Sequence, residues 1–344
     1  MISTPILDTM KFHRIILIAS VLLSAFCAVS CKDDDEEETP PYLNGLPQFD
    51  LPAYGKVGDT FHFTGSGAKD ADGKAASYYW YATPCSSTRD TSLTYDLTLP
   101  DTLCTVSLTC VAFAKGYSNT TTTKDITIVK PGWNTGSVTG MLFNVGKDFQ
   151  FTDSRDGHVY WCSTIGKKDW FKENLAYKTP ESKPLENCDI TTELFGLFYN
   201  WEEAAAACPD GWRVSTLEDW ADAAAALTGN EFTTDGTMYS VAGEFMGDMY
   251  FNGEKMWEYW PEVKITNKSG LCIMPVGYAT ISTQGPAQFS SVQSGYAAFW
   301  TAEEKNSEMG YYRYIYEEHP DIFLGNADKK SFGASVRCVR DHEE

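Results

Sequence analysis

The sequence has few basic residues for its length. Lys and Arg together number 27 among 344 residues, against 47 Asp and Glu, which gives a net charge of −20. Binding to nucleic acid and docking on anionic lipid through a basic surface both need clustered positive charge. The charge balance therefore predicts that nucleic acid is not a partner.

Motifs of metal-dependent and nucleophilic catalysis are missing. The five histidines are scattered, with neither an HExxH pair nor the paired His and Cys spacing of zinc sites. A GxSxG elbow, a P-loop and a GxGxxG turn are also absent. Acidic pairs occur, but 32 acidic residues after residue 136 make chance pairs more frequent than a glycosidase pair. The sequence predicts a protein that is not an enzyme and has no cofactor or metal site.

Only one apolar run is long enough to direct the chain to a membrane. Residues 15–28 form this 14-residue run, which follows a short basic region, Lys11-Phe12-His13-Arg14. The run is too short to span a bilayer and is typical of a signal peptide. Its end, Ala28-Val29-Ser30-Cys31, resembles a bacterial lipobox, which is cut before a lipid-bearing cysteine. We predict a signal peptide over residues 1–30, starting at Met1 or Met10, and lipid on Cys31.

An acidic run follows the predicted lipid site. Residues 33–38 are all Asp or Glu, and such a run alone is a solvated tether. Directly after a lipobox it resembles the export signal of Bacteroidetes surface lipoproteins. We therefore predict a tether over residues 31–40 and anchoring in outer-membrane lipid through the acylated cysteine, with the chain exposed at the cell surface.

The composition changes near residue 136. Residues 39–136 contain 17 Thr and no Glu or Met, with 7 basic and 8 acidic residues. Residues 137–344 contain 17 basic and 32 acidic residues and eight of the ten Trp. Such a change is typical of a domain boundary, and Lys130-Pro131-Gly132 is a natural linker. We predict domains at residues 41–130 and 137–341.

The first domain is predicted to be all-β. β-Branched and aromatic runs separated by turn clusters recur at residues 60–64, 76–83, 92–97, 103–114 and 121–129. Six or seven strands, with Trp80 on a central one, resemble the immunoglobulin-like and PKD-like modules of bacterial surface proteins. Val106, Leu108 and Cys110 share one strand face and are interpreted as core.

The second domain is predicted to be α+β, with two helices and an antiparallel sheet. One helix covers residues 197–207, and a second begins at Ser215, with Glu218 completing a capping box and Gly229 ending the helix. Residues 230–268 have no sustained period and are expected to form an irregular loop region. The predicted strands are residues 159–165, 170–173, 271–280, 297–303, 311–316 and 334–340.

Several motifs of the second domain resemble one family. Residues 156–160 (DGHVY), 169–175 (DWFKENL), 196–201 (GLFYNW) and 208–215 (CPDGWRVS) are similar to the opening and helical signatures of the Fibrobacter succinogenes major paralogous domain. Residues 274–278, 299–301 and 335–340 are similar to its closing strands. The resemblance covers residues 150–341 and implies a C-type-lectin-like fold with a variable loop region and no established enzymatic activity. The sequence triplets of calcium-dependent sugar-binding lectins are missing, so any sugar is expected to bind without that calcium site.

The resemblance also implies one disulfide. It places the end of the first helix beside the last strand, so we expect a bridge between Cys208 and Cys338, which export makes possible. A pair of Cys162 with Cys188 is a weaker hypothesis, with Cys272 alone in a buried strand.

The first domain holds three cysteines. Cys85 has two candidate partners, Cys104 and Cys110, which lie about 20 Å apart along one straight strand and so cannot pair with each other.

The irregular loop region contains the candidate ligand site. Asn252, Trp257, Glu258, Tyr259 and Trp260 combine flat aromatic faces with amide and carboxylate groups, which suits sugar rings. Large aromatics are buried more often than not, so core packing is the favoured alternative for Trp257 and an even one for Trp260.

A second group of aromatics lies on a predicted strand. Alternation puts Tyr312, Tyr314 and Tyr316 on one face and Tyr311, Arg313 and Ile315 on the other. One of these faces is expected to be core and the other exposed.

Two functions remain open. The order of the parts favours a surface lipoprotein that displays a domain for a glycan or a surface or host protein. The alternative is a structural or accessory lipoprotein of an envelope complex, with no small ligand.

Overall fold

The computed structural model describes residues 39–144, 146–257, 263–282, 285–290 and 295–343. The predicted signal peptide, Cys31 and most of the tether lie outside these residues. So do three predicted ligand-site residues, Glu258, Tyr259 and Trp260. In the described part of the chain, no helix has the length and apolar character needed to cross a membrane.

Residues 40–130 form two sheets. The strands are β1 (Tyr54–Lys56), β2 (Thr60–Thr64), β3 (Ser77–Thr83), β4 (Ser86–Asp90), β5 (Thr94–Thr98), β6 (Thr105–Phe113) and β7 (Thr120–Val129). Five of them form a sheet in the order β1-β7-β6-β3-β4, in which β1 pairs with β7 in parallel, and β2 pairs with β5. The all-β prediction is confirmed for this region, and the five predicted runs all overlap strands.

The core of this region lies between its two sheets. Trp80 is fully buried on β3, between β6 and β4, and stacks near Phe63 of β2. Val106, Leu108 and Cys110 of β6 are also fully buried, which confirms the core prediction. Alternate β3 side chains are buried because successive residues of a strand point to opposite faces.

The rest of the chain contains short strands and four α-helices among its described residues. The strands are β8 (Val138–Thr139), β9 (Asp148–Thr152), β10 (Val159–Ile165), β11 (Lys168–Phe171), β12 (Lys183–Pro184), β13 (Leu197–Phe198), β14 (Arg213–Val214), β15 (Tyr250–Phe251), β16 (Glu254–Lys255), β17 (Tyr278–Thr280), β18 (Gln288–Ser290), β19 (Tyr296–Glu304), β20 (Met309–Tyr316), β21 (Ile322–Asp328), β22 (Phe332–Gly333) and β23 (Cys338–Asp341). The helices are α1 (Thr192–Phe195), α2 (Trp201–Ala207), α3 (Leu217–Thr228) and α4 (Ala242–Phe245), and 3-10 turns cover Leu185–Asn187 and Asp189–Thr191.

These strands form several small sheets instead of the one sheet that was predicted. The largest has the order β14-β23-β11-β10-β9, and a second has the order β19-β20-β21. The strand pairs within both are antiparallel, as predicted.

Both predicted helices need correction at their starts. Residues 197–198 form strand β13, and the first helix begins only at Trp201, because the Asn200 side chain caps it by accepting the Glu203 N–H at 2.8 Å. The second helix is capped by Thr216 and Asp219, one residue later than predicted. Its predicted end is confirmed, since Gly229 adopts the left-handed conformation with φ 77°.

Two predicted strands are also shorter in the structure. Of residues 271–280 only Tyr278–Thr280 form a strand, and of residues 334–340 only the last part lies in β23. Cys272 is buried as expected, but it adopts φ 48° and lies outside any strand. Its backbone N–H donates to the Asn267 side chain at 3.0 Å. This bond satisfies a buried backbone donor that has no strand partner.

One disulfide is present. Cys208, the C-cap residue of α2, bonds to Cys338 on β23, with 5.8 Å between the two Cα atoms, as expected. Cys162 and Cys188 are both free, so the weaker pairing hypothesis is wrong. Cys85, Cys104 and Cys110 are also free in the structure.

The two predicted domains share buried apolar side chains. Tyr54 and Val129 pack in one cluster with Met249 and Phe251 from the later part of the chain. Burial raises the pKa of Tyr54 to about 12. Residues Pro40–Glu344 form one compact unit, and the division at residues 131–136 stays a prediction.

Candidate functional site

Trp257 does not provide a surface for a ligand. Its side chain is fully buried in the cluster that contains Trp220 and Phe245, and its indole N–H donates to the Ile273 carbonyl at 2.8 Å. Its membership of the predicted ligand site is therefore wrong, because no ring face is open to solvent. The favoured alternative of core packing is what the structure contains.

Asn252 links the two predicted domains through a hydrogen bond. It occupies the turn between β15 and β16 with φ 48°, and its side-chain amide donates to the Ile128 carbonyl of β7 at 2.9 Å. The residue lines a cleft of about 390 Å³ with Phe251, Glu254 and Cys104. This hydrogen bond ties two parts of the backbone together, and the predicted role of Asn252 in a ligand site stays a prediction.

The tyrosines of β20 form a packed row. Arg313 and Ile315 are the core face, and Tyr312, Tyr314 and Tyr316 are partly exposed on the other. The Tyr314 ring stacks on Tyr296, with 5.3 Å between centroids, and on Phe323 at 5.0 Å. The Tyr314 ring is thus packed between aromatic rings of β19 and β21.

A wider groove lies on the outer face of β10. It has a volume of about 620 Å³. Three aromatic rings, two carboxylates, one imidazole and one aliphatic side chain line it. They belong to Trp133, Phe143, Trp161, Glu173, Glu193, His158 and Val159. We call this feature the β10 groove. Phe143 and Val159 are 41% and 43% exposed, and such clustered apolar exposure is typical of binding surfaces.

Strand alternation gives the β10 groove its floor. Tyr160 and Cys162 of β10 are fully buried, whereas Val159 and Trp161 point to the opposite face. Hydrogen bonds to β9 and β11 on either side hold β10 in place. The turn before β10 needs Gly157, which has φ 79°, a conformation that glycine adopts without strain.

The Phe143 ring packs against a buried ion pair of Lys172 and Asp148. The Lys172 ammonium lies 4.9 Å from the Phe143 ring centroid and contacts the Asp148 carboxylate and the Leu142 carbonyl, each at 2.5 Å. The Phe143 ring also meets Trp161, with 4.6 Å between centroids. These contacts hold two rings of the groove against each other before any ligand arrives.

The charges in the β10 groove are mainly negative. One Glu173 oxygen accepts the Trp161 backbone N–H at 2.8 Å, and the other lies 3.7 Å from Nε2 of His158. The neighbouring Glu173 carboxylate raises the pKa of the His158 imidazole, and the charges of Asp156 and Glu193 add to this effect. None of the described residues that line the groove is Lys or Arg.

The described residues contain no group of three or more His, Cys, Asp or Glu placed to hold a metal ion. The side chains that line the groove supply aromatic faces, carboxylates and one imidazole, which can stack on a ring and accept hydrogen bonds from hydroxyl or amine groups.

Sequence reasoning missed the β10 groove. Residues 156–160 and 169–175 were assigned to family signatures and read as parts of the fold. The available signal was β10 itself, since Val159 and Trp161 give the strand large apolar side chains on its outer face as well as its inner one. Apolar side chains that cluster on the outer face of a strand indicate a covered surface or a binding site.

Comparison with known proteins identifies a family. Residues 164–340 match the family model of the Fibrobacter succinogenes major domain. A search of the curated proteins found no match. The matched residues include Glu173 and Glu193 of the groove, whereas Trp133, Phe143, His158 and Trp161 precede them.

Proposed function

The chain belongs to the Fibrobacter succinogenes major domain family, and from this premise we propose that it binds a glycan through the β10 groove. The observation that carries the proposal is the combination of three aromatic side chains with two carboxylates in one open groove. Sugar rings stack their C–H faces on aromatic rings while their hydroxyls donate to carboxylates.

The proposal includes the architecture around the groove. We assign residues 41–130 as an immunoglobulin-like spacer and residues 137–341 as a C-type-lectin-like domain, held at the cell surface by lipid on Cys31. The two-sheet region supports the first assignment, and the mixture of small antiparallel sheets and helices supports the second. The shared apolar cluster around Tyr54 supports a spacer that holds the binding domain firmly.

We also propose that the chain binds without turnover. Both Glu173 oxygens have partners within the protein, the Trp161 N–H and the His158 ring. A catalytic carboxyl in a glycosidase instead faces the scissile bond.

A glycan-binding experiment tests the proposal. Residues 39–344, a span that contains the whole compact unit, are applied to a glycan array, because cutting at residue 137 would expose the cluster around Tyr54. We expect saturable binding that Trp161→Ala abolishes and that the control Tyr239→Ala retains, since Tyr239 is 71% exposed and does not line the groove. Binding that survives Trp161→Ala would contradict the site.

Absence of binding to every glycan would contradict the proposed ligand class. Co-purification of a stoichiometric outer-membrane protein with the full-length lipoprotein would then favour the alternative function, an accessory part of an envelope complex. Cleavage of the chain by protease added to intact cells is the expected result for surface exposure, and resistance would contradict that part.

A further inference from the structure

The β10 groove combines aromatic rings with two carboxylates, and among the described residues that line it only the His158 imidazole can carry positive charge. We propose that it selects glycans that carry a protonated amine, such as glucosamine residues, over neutral and acidic glycans. This inference rests on the proposed function of the groove as a glycan site, and the experiment below separates the two.

The carboxylates of the groove favour a cationic ligand. Glu173 and Glu193 both line the groove, and the sole lining group that can carry positive charge is the His158 imidazole. The buried Lys172 ammonium packs on the Phe143 ring, 4.9 Å from its centroid, and is paired with Asp148. A protonated His158 pairs with Glu173, and Glu193 remains as the second carboxylate. A ligand amine therefore still meets net negative charge, whereas a ligand carboxylate or sulfate meets repulsion.

A second nearby cation is also engaged elsewhere. The Arg155 guanidinium is paired with Asp153 at 2.7 Å and lies 3.6 Å from the centre of the Tyr177 ring. It donates to the Ala207 carbonyl at 2.9 Å as well. These contacts direct Arg155 toward the end of α2, so it leaves the charge of the groove unbalanced.

The aromatic rings of the groove also favour a cationic ligand. The faces of Trp and Phe rings carry partial negative charge and attract ammonium groups, Trp most strongly. Trp133, Phe143 and Trp161 line the same groove as the two carboxylates. Rings and carboxylates thus favour the same ligand charge, and the rings also accept the C–H face of a sugar.

The long-range field acts in the same direction. The chain has a net charge of −20, and most of its excess acidic residues follow residue 136. A negative surface raises the local concentration of cationic ligands at low ionic strength. We therefore expect the preference for amines to decrease as salt is added, while stacking on the rings does not.

Two oligosaccharides of equal length test the inference, a glucosamine oligomer and its N-acetylated counterpart, which is neutral. Each is titrated into residues 39–344 by calorimetry, below the pKa of the amine. We expect the glucosamine oligomer to bind about three- to fivefold more tightly, which is the effect of one solvent-exposed ion pair.

Two charge variants locate the effect. Glu193→Gln keeps the shape of the side chain and is expected to remove that preference while leaving the affinity for the N-acetylated oligomer unchanged. Glu231→Gln is the matched control, because Glu231 is exposed and does not line the groove. Thermal unfolding midpoints equal to that of the wild type show that the variants fold.

The outcomes separate the two claims. Equal affinities for the two oligomers, or a preference that Glu193→Gln leaves intact, would overturn the amine selection and leave glycan binding standing. Failure of both oligomers and of every glycan on the array would overturn the proposed function itself.

Choline, a quaternary ammonium compound without a sugar ring, tests whether the groove recognises a cationic group alone. We expect it to compete weakly with the glucosamine oligomer. Choline that binds more tightly than the oligomer would assign the groove to a quaternary ammonium headgroup and overturn the amino-sugar selection.

Discussion

Truncation of Trp257 tests whether this residue stabilises the fold or serves a ligand. Its fully buried side chain removes about 150–250 Å² from water, which corresponds to roughly 4–6 kcal/mol of apolar burial. Partial collapse of the cavity recovers part of this, and Trp→Ala changes in protein cores cost about 3–5 kcal/mol. We therefore expect Trp257→Ala to lower the free energy of unfolding by about 4 kcal/mol, including the loss of the bond to Ile273.

Urea unfolding followed by far-UV circular dichroism measures this free energy. Trp257→Phe keeps an aromatic ring but removes the indole N–H, so we expect a smaller loss of about 2 kcal/mol. Tyr239→Ala is the exposed control and should remain within about 0.5 kcal/mol of the wild type. A loss below about 1 kcal/mol for Trp257→Ala would refute the core assignment and return Trp257 to the candidate ligand site.

The other predictions concern the Cys208–Cys338 disulfide, the His158 imidazole and the hydrogen bond between Asn252 and Ile128. Replacing Cys208 and Cys338 together by Ala opens a loop of sequence separation 130, and we expect unfolding free energy to fall by roughly 2–5 kcal/mol in the same urea assay; an unchanged midpoint would contradict the bridge. Because the pKa of His158 is raised by Glu173, its contribution to stability is fully present below the ordinary imidazole pKa and disappears as pH rises through the raised value. His158→Gln should remove this part of the pH dependence of the melting temperature, and an unaltered profile would refute it. Asn252→Ala removes a backbone tie to Ile128 and should cost about 1 kcal/mol, with faster amide exchange at the end of β7; unchanged exchange would count against this hydrogen bond.

Local sequence patterns predicted many of the strands. The run at residues 60–64 and the run at residues 159–165 coincide with β2 and β10, because β-branched and aromatic residues fit a pleated, half-buried surface. The Cys208–Cys338 bridge followed from the family resemblance, since it joins elements far apart in the sequence.

Tertiary context decided what local patterns left open. Residues 197–198 have helical neighbours, yet they pair with Lys183–Pro184, and Asn200 then starts the helix. Tertiary packing routinely overrides helix propensity in this way.

The candidate site was the hardest feature to predict. The segment that contains Trp257 has the composition expected of a sugar site. Whether a side chain is exposed depends on which residues pack over it, and local sequence composition does not specify that. The β10 groove unites Trp133, Phe143 and Glu193, which come from separate segments that only the folded chain brings together. Val159 and Trp161 on the outer face of β10 were the part of the groove that strand alternation alone could reveal.

The most direct test of the central claim is to locate a bound glycan on the protein. Hydrogen exchange followed by mass spectrometry compares residues 39–344 with and without the tightest ligand from the array. We predict slower exchange in peptides that contain Trp133, Phe143 and residues 158–161, with no change around Tyr250. Slowing confined to residues 250–257 or to the tyrosine row of β20, with none at β10, would contradict the β10 groove as the binding site.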